Sequence, residues 1–295
     1  MIRLHYWLAV VSAFSSSITS VLGKFSYTLG ATVTQILFLR FFFSFLIALV
    51  LFMGFGYKFK FKKFFIFGSL GIVNYGIAAY SFFLGLQYLS PAYATVVYFT
   101  NPIFVSLLQT KTTNRKLNFY NAVAVGLSFA GVLIANMGEK AFLQNESLIF
   151  GTIMVLFAAF VNALFVVTVS ENIKTKYPNP LENSFYTFLG TFIYYFILMS
   201  ITNGFETLSS KFLLSGFLLA VFATFVPLTL NYFALKKLQS HTLALLMPLE
   251  LIFASVLSAI FLSEQFNVLK VLGFLMVASA PIIDITSIES QESNF

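Results

Sequence analysis

Two ionisable side chains, Arg40 and Glu250, lie deep inside apolar stretches of the sequence. Each is about nine residues from one end of its stretch, so at a rise of about 1.5 Å per residue both would lie near the middle of a helix of that length. A carboxylate there could bind a proton or an amine, and a guanidinium could pair with a carboxylate. In the alternative, structural interpretation, the two groups pair with each other or with helix-end carbonyls.

Four asparagines form a second group of polar side chains within or near the ends of apolar stretches: Asn74, Asn101, Asn162 and Asn231. Helical spacing places small, polar and aromatic residues on the same faces, namely Ala78 and Ser81 with Asn74, Ala94 and Tyr98 with Asn101, and Thr224 and Pro227 with Asn231. Such faces could line a cavity that binds a zwitterionic or heteroaromatic metabolite. The alternative is hydrogen bonding between helices.

Three prolines, Pro102, Pro227 and Pro248, also lie within apolar stretches. Each removes an intrahelical hydrogen bond and frees a carbonyl, so each could be a hinge, a break that exposes backbone to a cavity, or a kink without function. Trp7, near the start of the chain, could close a cavity or anchor a helix at a membrane surface, and the anchor interpretation is favoured.

The composition identifies the medium that surrounds these residues. Of the 295 residues, 59% are hydrophobic and 9% are charged, and the mean hydropathy is +0.91. Soluble domains draw about a quarter of their residues from the charged types. A soluble enzyme, a disordered protein and a coiled coil are therefore excluded, and a polytopic membrane protein remains.

The chain has few residues for metal or redox chemistry. It contains no Cys, and its two histidines, His5 and His241, are far apart in the sequence. A disulfide framework, a thiolate nucleophile and a Cys-based metal site are thus excluded, and a His-based metal site is not expected. We expect no cofactor and no metal.

Apolar stretches separated by charged and turn residues predict ten membrane-spanning helices of about 20 residues each. They cover, approximately, Leu4–Leu22, Thr32–Met53, Phe64–Leu89, Pro91–Gln109, Leu117–Asn136, Leu148–Ser170, Asn183–Thr202, Phe212–Leu235, His241–Leu262 and Val268–Ile285. The third and fourth stretches, and the eighth and ninth, are so close that either pair could be miscounted. The first stretch has no convincing signal-peptide cleavage site, so we expect it to be retained.

The bases predict the orientation of the chain, because Lys and Arg accumulate in cytoplasmic loops. If the N-terminus is cytoplasmic, 12 of the 17 bases fall on the inside and 4 on the outside. The inside set is Arg3, Lys58, Lys60, Lys62, Lys63, Lys111, Arg115, Lys116, Lys174, Lys176, Lys236 and Lys237, and the outside set is Lys24, Lys140, Lys211 and Lys270. We expect a multi-pass protein of the cell (inner) membrane with both termini in the cytoplasm.

The two halves of the chain resemble each other. Phe83–Leu89 and Tyr232–Leu238 are both aromatic-rich helix ends followed by a minimal turn, and each following helix contains a proline, Pro102 or Pro248. Five helices per half is an odd number, so the second half would be inverted in the membrane. The predicted division is 1–140 and 141–295. Inverted repeats recur in secondary transporters, whose substrate site lies near the midplane between the repeats.

Short motifs occur in order along nearly the whole chain. They are Leu39-Arg40-Phe41, Gly85-Leu86, Ser90-Pro91-Ala92, Asn101-Pro102-Ile103-Phe104, Tyr232–Leu238, Pro248–Ala254, Leu262-Ser263-Glu264 and Gly273. Their order and spacing resemble the drug/metabolite transporter superfamily, in its EamA-like ten-helix branch. One position departs from the family pattern, because the family usually has Glu-Pro in the ninth helix whereas here Pro248 precedes Glu250.

The resemblance implies an alternating-access transporter of a small organic metabolite, such as an amino acid or a related compound, and often an exporter. No Gly-x-x-x-x-Gly-Lys-Ser/Thr loop is present to bind ATP, which favours a secondary-active mechanism. The candidate substrate-binding residues are Trp7, Asn74, Ser81, Tyr98, Asn101, Asn162, Asn231 and Glu250; Arg40 and Glu250 are coupling or structural charges, and Pro102, Pro227 and Pro248 are candidate hinges.

Two other classes of function remain as alternatives. An intramembrane enzyme acting on a lipid-like substrate would need paired acids or a histidine constellation, and the sequence suggests neither. A channel would be expected to show a ring of like charges or a filter-like loop. Glu264 and Asp284 lie at the ends of predicted helices, where water would reach them, so neither is given a chemical role.

The expected partners are the metabolite and the lipid bilayer. The basic and aromatic segment Lys58–Lys63 is better explained by anionic lipid headgroups at the cytoplasmic face than by nucleic acid. A monomer and a homodimer both remain open.

Overall fold

The structure of the protein is a computed structural model that describes residues 2–85, 88–89, 91–113, 119–136, 148–262 and 267–292. These residues form helices joined by short turns, with no β-strand among them. The helices are α1 (Ile2–Thr28), α2 (Val33–Gly54), α3 (Phe61–Gly85), α4 (Pro91–Tyr98), α5 (Asn101–Thr113), α6 (Phe119–Asn136), α7 (Leu148–Thr175), α8 (Pro180–Ile201), α9 (Ser210–Leu235), α10 (Ser240–Leu246), α11 (Leu249–Leu262) and α12 (Val268–Glu292).

Among the described residues, six helical stretches are long and apolar enough to cross a membrane: α2, α3, α7, α8, α9 and the segment Ser240–Leu257, which begins with α10. A seventh, Phe119–Ala135, is apolar but shorter. The expectation of an all-helical, multi-pass membrane protein is therefore confirmed. The count of ten spans and the inverted repeat stay predictions. Several residues used for the orientation and the motifs, namely Leu86, Ser90, Arg115, Lys116, Lys140, Ser263 and Glu264, lie outside the described residues.

Local sequence signals fix the starts of two long helices. Thr32 and Gln35 form a reciprocal capping box at the start of α2, so two backbone N–H groups without helical partners are satisfied. Asn179 accepts a hydrogen bond from the Glu182 N–H at the start of α8, and Pro180 follows it in the first turn, where its missing N–H costs nothing.

Small residues allow pairs of helices to approach closely. A Cβ added at Gly190 of α8 would lie 2.2 Å from the carbonyl oxygen of Gly68 in α3, and one at Gly71 would lie 2.3 Å from the carbonyl oxygen of Thr187. Between α6 and α12, a Cβ at Gly273 would lie 2.5 Å from the carbonyl oxygen of Gly131. Backbone-to-backbone packing of this kind replaces the hydrophobic driving force that is missing between helices in lipid.

The basic segment before α3 is only partly available to lipid. The Lys63 ammonium is buried 2.5 Å from the Glu182 carboxylate at the start of α8, and it also lies 5.2 Å from the centre of the Tyr177 ring. Lys60 lies 3.7 Å from the same carboxylate, although its own side chain is exposed. The prediction of a lipid-facing segment is therefore wrong for Lys63, because Glu182 binds it inside the protein.

The three candidate hinge prolines all lie where a helix is interrupted. Pro102 follows the break between α4 and α5, and Pro248 lies in the break between α10 and α11. Pro227 follows a π-helical turn at Val221–Phe225 within α9. Because proline has no N–H to donate, the carbonyl four residues earlier loses its usual helical partner at each position.

We expect Gly190→Ala to destabilise the protein by about 1–3 kcal/mol, because the new methyl group would overlap the backbone of Gly68 and force α8 away from α3. Thermal unfolding of the purified protein in detergent would measure the change. Gly126→Ala is the matched control, because a Cβ at Gly126 would have no atom within 4 Å. Equal unfolding temperatures for the two variants would show that the α3–α8 contact does not limit stability.

Candidate functional site

The Arg40 side chain is attached to the interrupted part of α9. Its Nη2 donates a hydrogen bond of 2.6 Å to the carbonyl of Ala223, and its Nε donates to the Thr224 hydroxyl. Ala223 is four residues before Pro227, so its carbonyl is the one that the proline leaves without the usual helical donor. Arg40 thus donates to the carbonyl that would otherwise accept from the N–H that Pro227 lacks, which fits the structural alternative for this charge.

Glu250 has a different environment in the first turn of α11, directly after the break at Pro248. The N-terminal end of a helix favours a negative charge. Arg40 is close enough to interact with this carboxylate electrostatically, but the two groups do not form a direct ion pair. Within the part of the chain that the structure describes, nothing donates a hydrogen bond to the Glu250 carboxylate.

A small cavity adjoins Glu250 between α1, α9 and the α10–α11 break. It is lined by Ala9, Ser12, Ala13, Ser16, Asn231, Leu243, Met247 and Glu250. The Ser12 hydroxyl donates to the carbonyl of Pro227 at 3.0 Å, whereas the Asn231 amide has no hydrogen-bond partner among the described residues. The cavity thus presents a carboxylate, an amide and serine hydroxyls within an otherwise apolar wall.

The cavity is too small for a metabolite in this conformation. Its volume of about 30 Å³ would hold one or two water molecules. An organic molecule could enter only if the helices that line the cavity moved apart, and the α10–α11 break at Pro248 lies directly beside it.

Two tyrosines extend the polar surroundings of Glu250. Tyr75 of α3 and Tyr98, the last residue of α4, both interact electrostatically with Glu250, and Tyr75 also interacts with Arg40. Neither hydroxyl has a hydrogen-bond partner among the described residues. The Tyr75 ring packs against Phe41 and Phe165, with ring centres 5.6 Å and 5.5 Å apart, which fixes its position.

Three of the four predicted asparagines form a chain of hydrogen bonds that joins α3, α5 and α7. The Asn101 amide donates to Asn162 at 3.1 Å and to the carbonyl of Ala159 at 2.8 Å, and the Asn162 amide donates to Asn74 at 3.2 Å. All three side chains are buried. This geometry matches the interhelical alternative for the three, whereas Asn231 lies apart from them, in the wall of the cavity with Glu250.

Two other candidate binding residues are not among those that line this cavity. Trp7 is 67% exposed, which agrees with the anchor interpretation. The Ser81 hydroxyl donates to the carbonyl of Ile77 one turn earlier in its own helix. Their assignment to substrate binding stays a prediction.

Sequence reasoning missed a buried polar network around His241 in α10. His241 Nδ1 lies 2.7 Å from the Ser106 hydroxyl, and Nε2 lies 3.0 Å from Asp284 Oδ1. Asp284 also accepts from Asn121 at 2.6 Å and from Thr242 at 2.8 Å. The expectation that water reaches Asp284 is wrong, because α12 continues beyond Ile285 and Asp284 is fully buried, with partners from α6 and α10.

The members of this network lie far apart in the sequence. His241 and Asp284 are 43 residues apart, and Ser106 is 135 residues from His241. A single sequence does not show that such distant residues meet in space, although it does show that each lies within or next to an apolar stretch. The statement that the chain offers no histidine constellation is therefore wrong.

The model of the EamA-like transporter family matches residues 3–137 and, a second time, residues 149–283. The chain belongs to the EamA-like transporter family. That family is part of the drug/metabolite transporter superfamily, so the resemblance inferred from the motifs is confirmed.

Individual relatives of this EamA-like chain agree with the family assignment. It is 30% identical to an uncharacterized transporter of Archaeoglobus fulgidus over 201 residues, which are 65% of each chain. It is 24% identical to the uncharacterized transporter YoaV of Bacillus subtilis over 219 residues, which are 71% of this chain and 68% of that one. The match thus spans just under two thirds of the first relative's length.

A solved crystal structure shares the fold of the EamA-like chain. The two superpose with a TM-score of 0.82 over 98% of this chain and 99% of the other, at 11% sequence identity. At this identity the similarity concerns the fold alone.

We expect Asn162→Ala to lower the stability by about 1–2 kcal/mol, because it removes the residue that links Asn101 to Asn74 and leaves their buried amides with fewer partners. Unfolding of the purified protein in mild detergent would measure the loss. Asn172→Ala is the matched control, because the Asn172 amide donates only within α7, to the carbonyl of Thr168. A similar loss in both variants would argue against the interhelical chain.

Proposed function

We propose that the chain is a secondary-active transporter that moves a small organic metabolite, such as an amino acid or a related compound, by alternating access, as an exporter or an exchanger. The observation that supports this best is the Glu250 carboxylate, which faces a cavity and has no hydrogen-bond partner among the described residues. A buried carboxylate is costly in a membrane unless a ligand, a proton or water satisfies it.

The position of the cavity supports the proposal. Its wall combines α1, from the first stretch that matches the family model, with α9, α10 and α11, from the second. Transporters built from two repeats bind their substrates where the repeats meet, and commonly at interrupted helices whose N-terminal ends face the site. Glu250, in the first turn of α11, has this arrangement.

The groups around Glu250 suggest the chemistry of the substrate. The carboxylate and the Asn231 amide would bind an ammonium group and a neutral polar group, respectively, and the Tyr75 and Tyr98 rings could cover an amine. Arg40 is bound to Ala223 and Thr224, so we assign it to the architecture of the site and not to the substrate. An amine-bearing metabolite therefore fits better than a doubly anionic one.

The proposed architecture is ten helices arranged as two inverted repeats in the cell (inner) membrane, with both termini in the cytoplasm. The matched ranges begin at residues 3 and 149, an offset of 146 that also separates Pro102 from Pro248. Both prolines lie at helix breaks, which supports equivalent positions in two copies of one unit. The orientation depends on the excess of bases in the proposed cytoplasmic loops.

An intramembrane enzyme is the second candidate to weigh, because Ser106, His241 and Asp284 contain the residue types of a hydrolytic triad. The three side chains are buried, and the Ser106 hydroxyl also bonds to the carbonyl of Pro102 at 2.7 Å. The Ser106 hydroxyl is therefore not open to a substrate in this geometry. We therefore prefer transport.

Counterflow in proteoliposomes would test the proposal. A thermal-shift screen of the purified protein against amino acids, nucleosides, polyamines and quaternary amines would first select a ligand. The same ligand, radiolabelled, should then enter vesicles faster when unlabelled ligand is inside, and its uptake should saturate. Conversion of the ligand to a product would indicate an enzyme, and flux without saturation would indicate a channel.

We expect Glu250→Gln to abolish proton-coupled transport and to weaken binding of an amine about 10-fold or more, because the amide cannot bind a proton or neutralise an ammonium. Ligand titration and pH-dependent flux would measure the two effects. Glu206→Gln is the matched control, because Glu206 is exposed in the turn before α9. Unchanged flux and affinity in Glu250→Gln would remove Glu250 from the mechanism.

We expect Asn231→Ala to weaken binding of the selected ligand several-fold and to leave the stability nearly unchanged, because its amide has no partner among the described residues. Asn101→Ala tests the original assignment of Asn101 to binding. An affinity that changes only in Asn231→Ala would restrict the binding amides to the Glu250 cavity, whereas a loss only in Asn101→Ala would move the site to the asparagine chain.

A further inference from the structure

The basic segment that joins α2 to α3, Tyr57–Lys63, is held against the start of α8. The buried Lys63 ammonium lies 2.5 Å from the Glu182 carboxylate, so the two charges balance each other inside the protein. The same ammonium lies 5.2 Å from the centre of the Tyr177 ring, in the turn between α7 and α8. One lysine of the segment therefore fixes its position, and three lysines remain for another role.

The backbone before Lys63 is fixed as well. The N–H of Lys60 donates to the Tyr186 hydroxyl at 2.7 Å, and the Phe59 and Tyr186 rings pack with their centres 5.4 Å apart. The Lys60 ammonium is exposed and lies 3.7 Å from the Glu182 carboxylate, beyond hydrogen-bond distance. Because Lys63 already balances Glu182, the charge of Lys60 is not cancelled.

The lysines of this segment form one basic surface with two lysines at the end of α7. The contact between Lys63 and Tyr177 places the segment beside the α7–α8 turn. All five side chains are exposed, and apart from the long contact of Lys60 none has an ion pair within the part of the chain that the structure describes. This lysine surface consists of Lys58, Lys60, Lys62, Lys174 and Lys176.

Few acids accompany the lysine surface. Within residues 57–63 and 171–182 the acids are Glu171, which is exposed, and Glu182, which is bound to Lys63. Five exposed cations therefore face one exposed anion. Such an excess attracts an anionic partner, and it does so most strongly where several of its charges act together.

Exposed phenylalanines alternate with the lysines of the segment. Phe55, Phe59, Phe61 and Phe65 are each more than half exposed, and the Phe61 and Phe65 rings pack edge to face with their centres 5.0 Å apart. Val50 and Met53, near the end of α2, are also exposed. Because α2 and α3 are both apolar enough to cross a membrane, this apolar strip leads from the lipid-facing wall to the lysines.

The surface of a bilayer that contains anionic phospholipid matches both halves of this arrangement. Its phosphates would meet the ammonium groups, and its acyl chains would meet the phenyl rings one layer deeper. A free phosphate would match only the lysines. A nucleic acid would match the lysines and could stack on the rings, but it would not explain why the rings continue the apolar wall of α2.

We propose that the lysine surface binds the headgroup phosphates of anionic phospholipids, with the Phe61 and Phe65 rings inserted beneath them. The ion pair of Lys63 with Glu182 holds the segment in the position that this binding needs. The proposal goes beyond the transport function, because it concerns the lipid around the protein and can be tested without any substrate.

Quenching of tryptophan fluorescence by brominated lipid tests the proposal at the surface itself. The chain has a single tryptophan, so Trp7→Phe combined with Phe61→Trp gives a full-length protein that fluoresces only from position 61. Bilayers would mix phosphatidylglycerol and phosphatidylcholine in equal amounts, with bromine on the chains of one lipid or of the other. We expect an apparent preference for phosphatidylglycerol of about five-fold or more, the effect of one or more lysines near anionic lipid.

Ile149→Trp in the same Trp7→Phe background is the matched control. Ile149 is exposed at the start of α7, the helix whose other end carries Lys174 and Lys176. We expect its tryptophan to be quenched equally by the two brominated lipids. Equal quenching at position 61 would overturn the proposal. A preference of the same size at position 149 would also overturn it, because the effect would then belong to the whole protein.

Replacing lysines tests the headgroup contact. Lys58→Gln, Lys62→Gln and Lys176→Gln, combined in the position-61 reporter, leave the contacts of Glu182 intact. We expect the preference for phosphatidylglycerol to disappear, whereas brominated phosphatidylcholine should still quench, because the ring at position 61 stays in the bilayer. The three side chains are exposed, so the unfolding temperature should not change. An unchanged preference would overturn the role of the lysines.

A second triple variant controls for net charge. Lys211→Gln, Lys236→Gln and Lys237→Gln remove three other exposed lysines, at the start of α9 and in the turn before α10. We expect this variant to keep the preference at position 61, because screening limits the action of exposed charges to about 10 Å. An equal fall in both triple variants would show that total charge decides the preference and would overturn the assignment to this surface.

Two soluble probes separate lipid from other phosphates. Inorganic phosphate, compared with chloride at equal ionic strength, should leave the preference at position 61 unchanged, because it lacks the acyl chains that the rings contact. Loss of the preference in phosphate alone would show a site for free phosphate and overturn the proposal. A short single-stranded oligonucleotide that binds the protein in bilayers of phosphatidylcholine, and is lost from the first triple variant, would replace the lipid by nucleic acid.

Discussion

The hydrogen bonds from Arg40 to α9 are the interaction on which the rest of the site depends. Pro227 leaves the Ala223 carbonyl without its helical donor, and an unsatisfied carbonyl costs several kcal/mol in an apolar medium. Arg40 donates to that carbonyl and to Thr224, which joins α2 to α9 at the interruption. Because α9 is fixed there, Asn231, one turn after Pro227, is directed into the wall of the cavity.

The same bonds explain why Arg40 and Glu250 can coexist without forming an ion pair. A buried pair in direct contact would neutralise the carboxylate and leave it little affinity for a ligand. Arg40 is instead oriented by α9, close enough to interact electrostatically with Glu250 but not in direct contact with it. The Glu250 carboxyl group is therefore within electrostatic range of Arg40 without being bound by it.

Much of the fold could be predicted from the sequence, because long apolar stretches in a chain with so little charge have few alternatives to membrane helices. Because the chain has so few charges, Arg40 and Glu250 could also be recognised from the sequence as charged residues within apolar stretches. Their surroundings could not be predicted, since only the structure shows that Arg40 lies against the carbonyl freed by Pro227. The asparagines were recognised as a polar group, but helical spacing could not show that Asn74, Asn101 and Asn162 bond to one another while Asn231 lies elsewhere. The His241 network was missed, because its members come from four helices and Asp284 was placed at the end of a helix that in fact continues.

The two regions that match one family model share a proline at a helix break but differ in their charged residues. Pro102 and Pro248 lie at helix breaks, one in each region, whereas Arg40 lies in the first region and Glu250 in the second. Each region thus contributes one member of a complementary set, the guanidinium from the first and the carboxylate from the second. A symmetric assembly of two identical halves would bring together two cations or two anions. The presence of two unlike regions in one chain therefore makes the asymmetry of the candidate site possible.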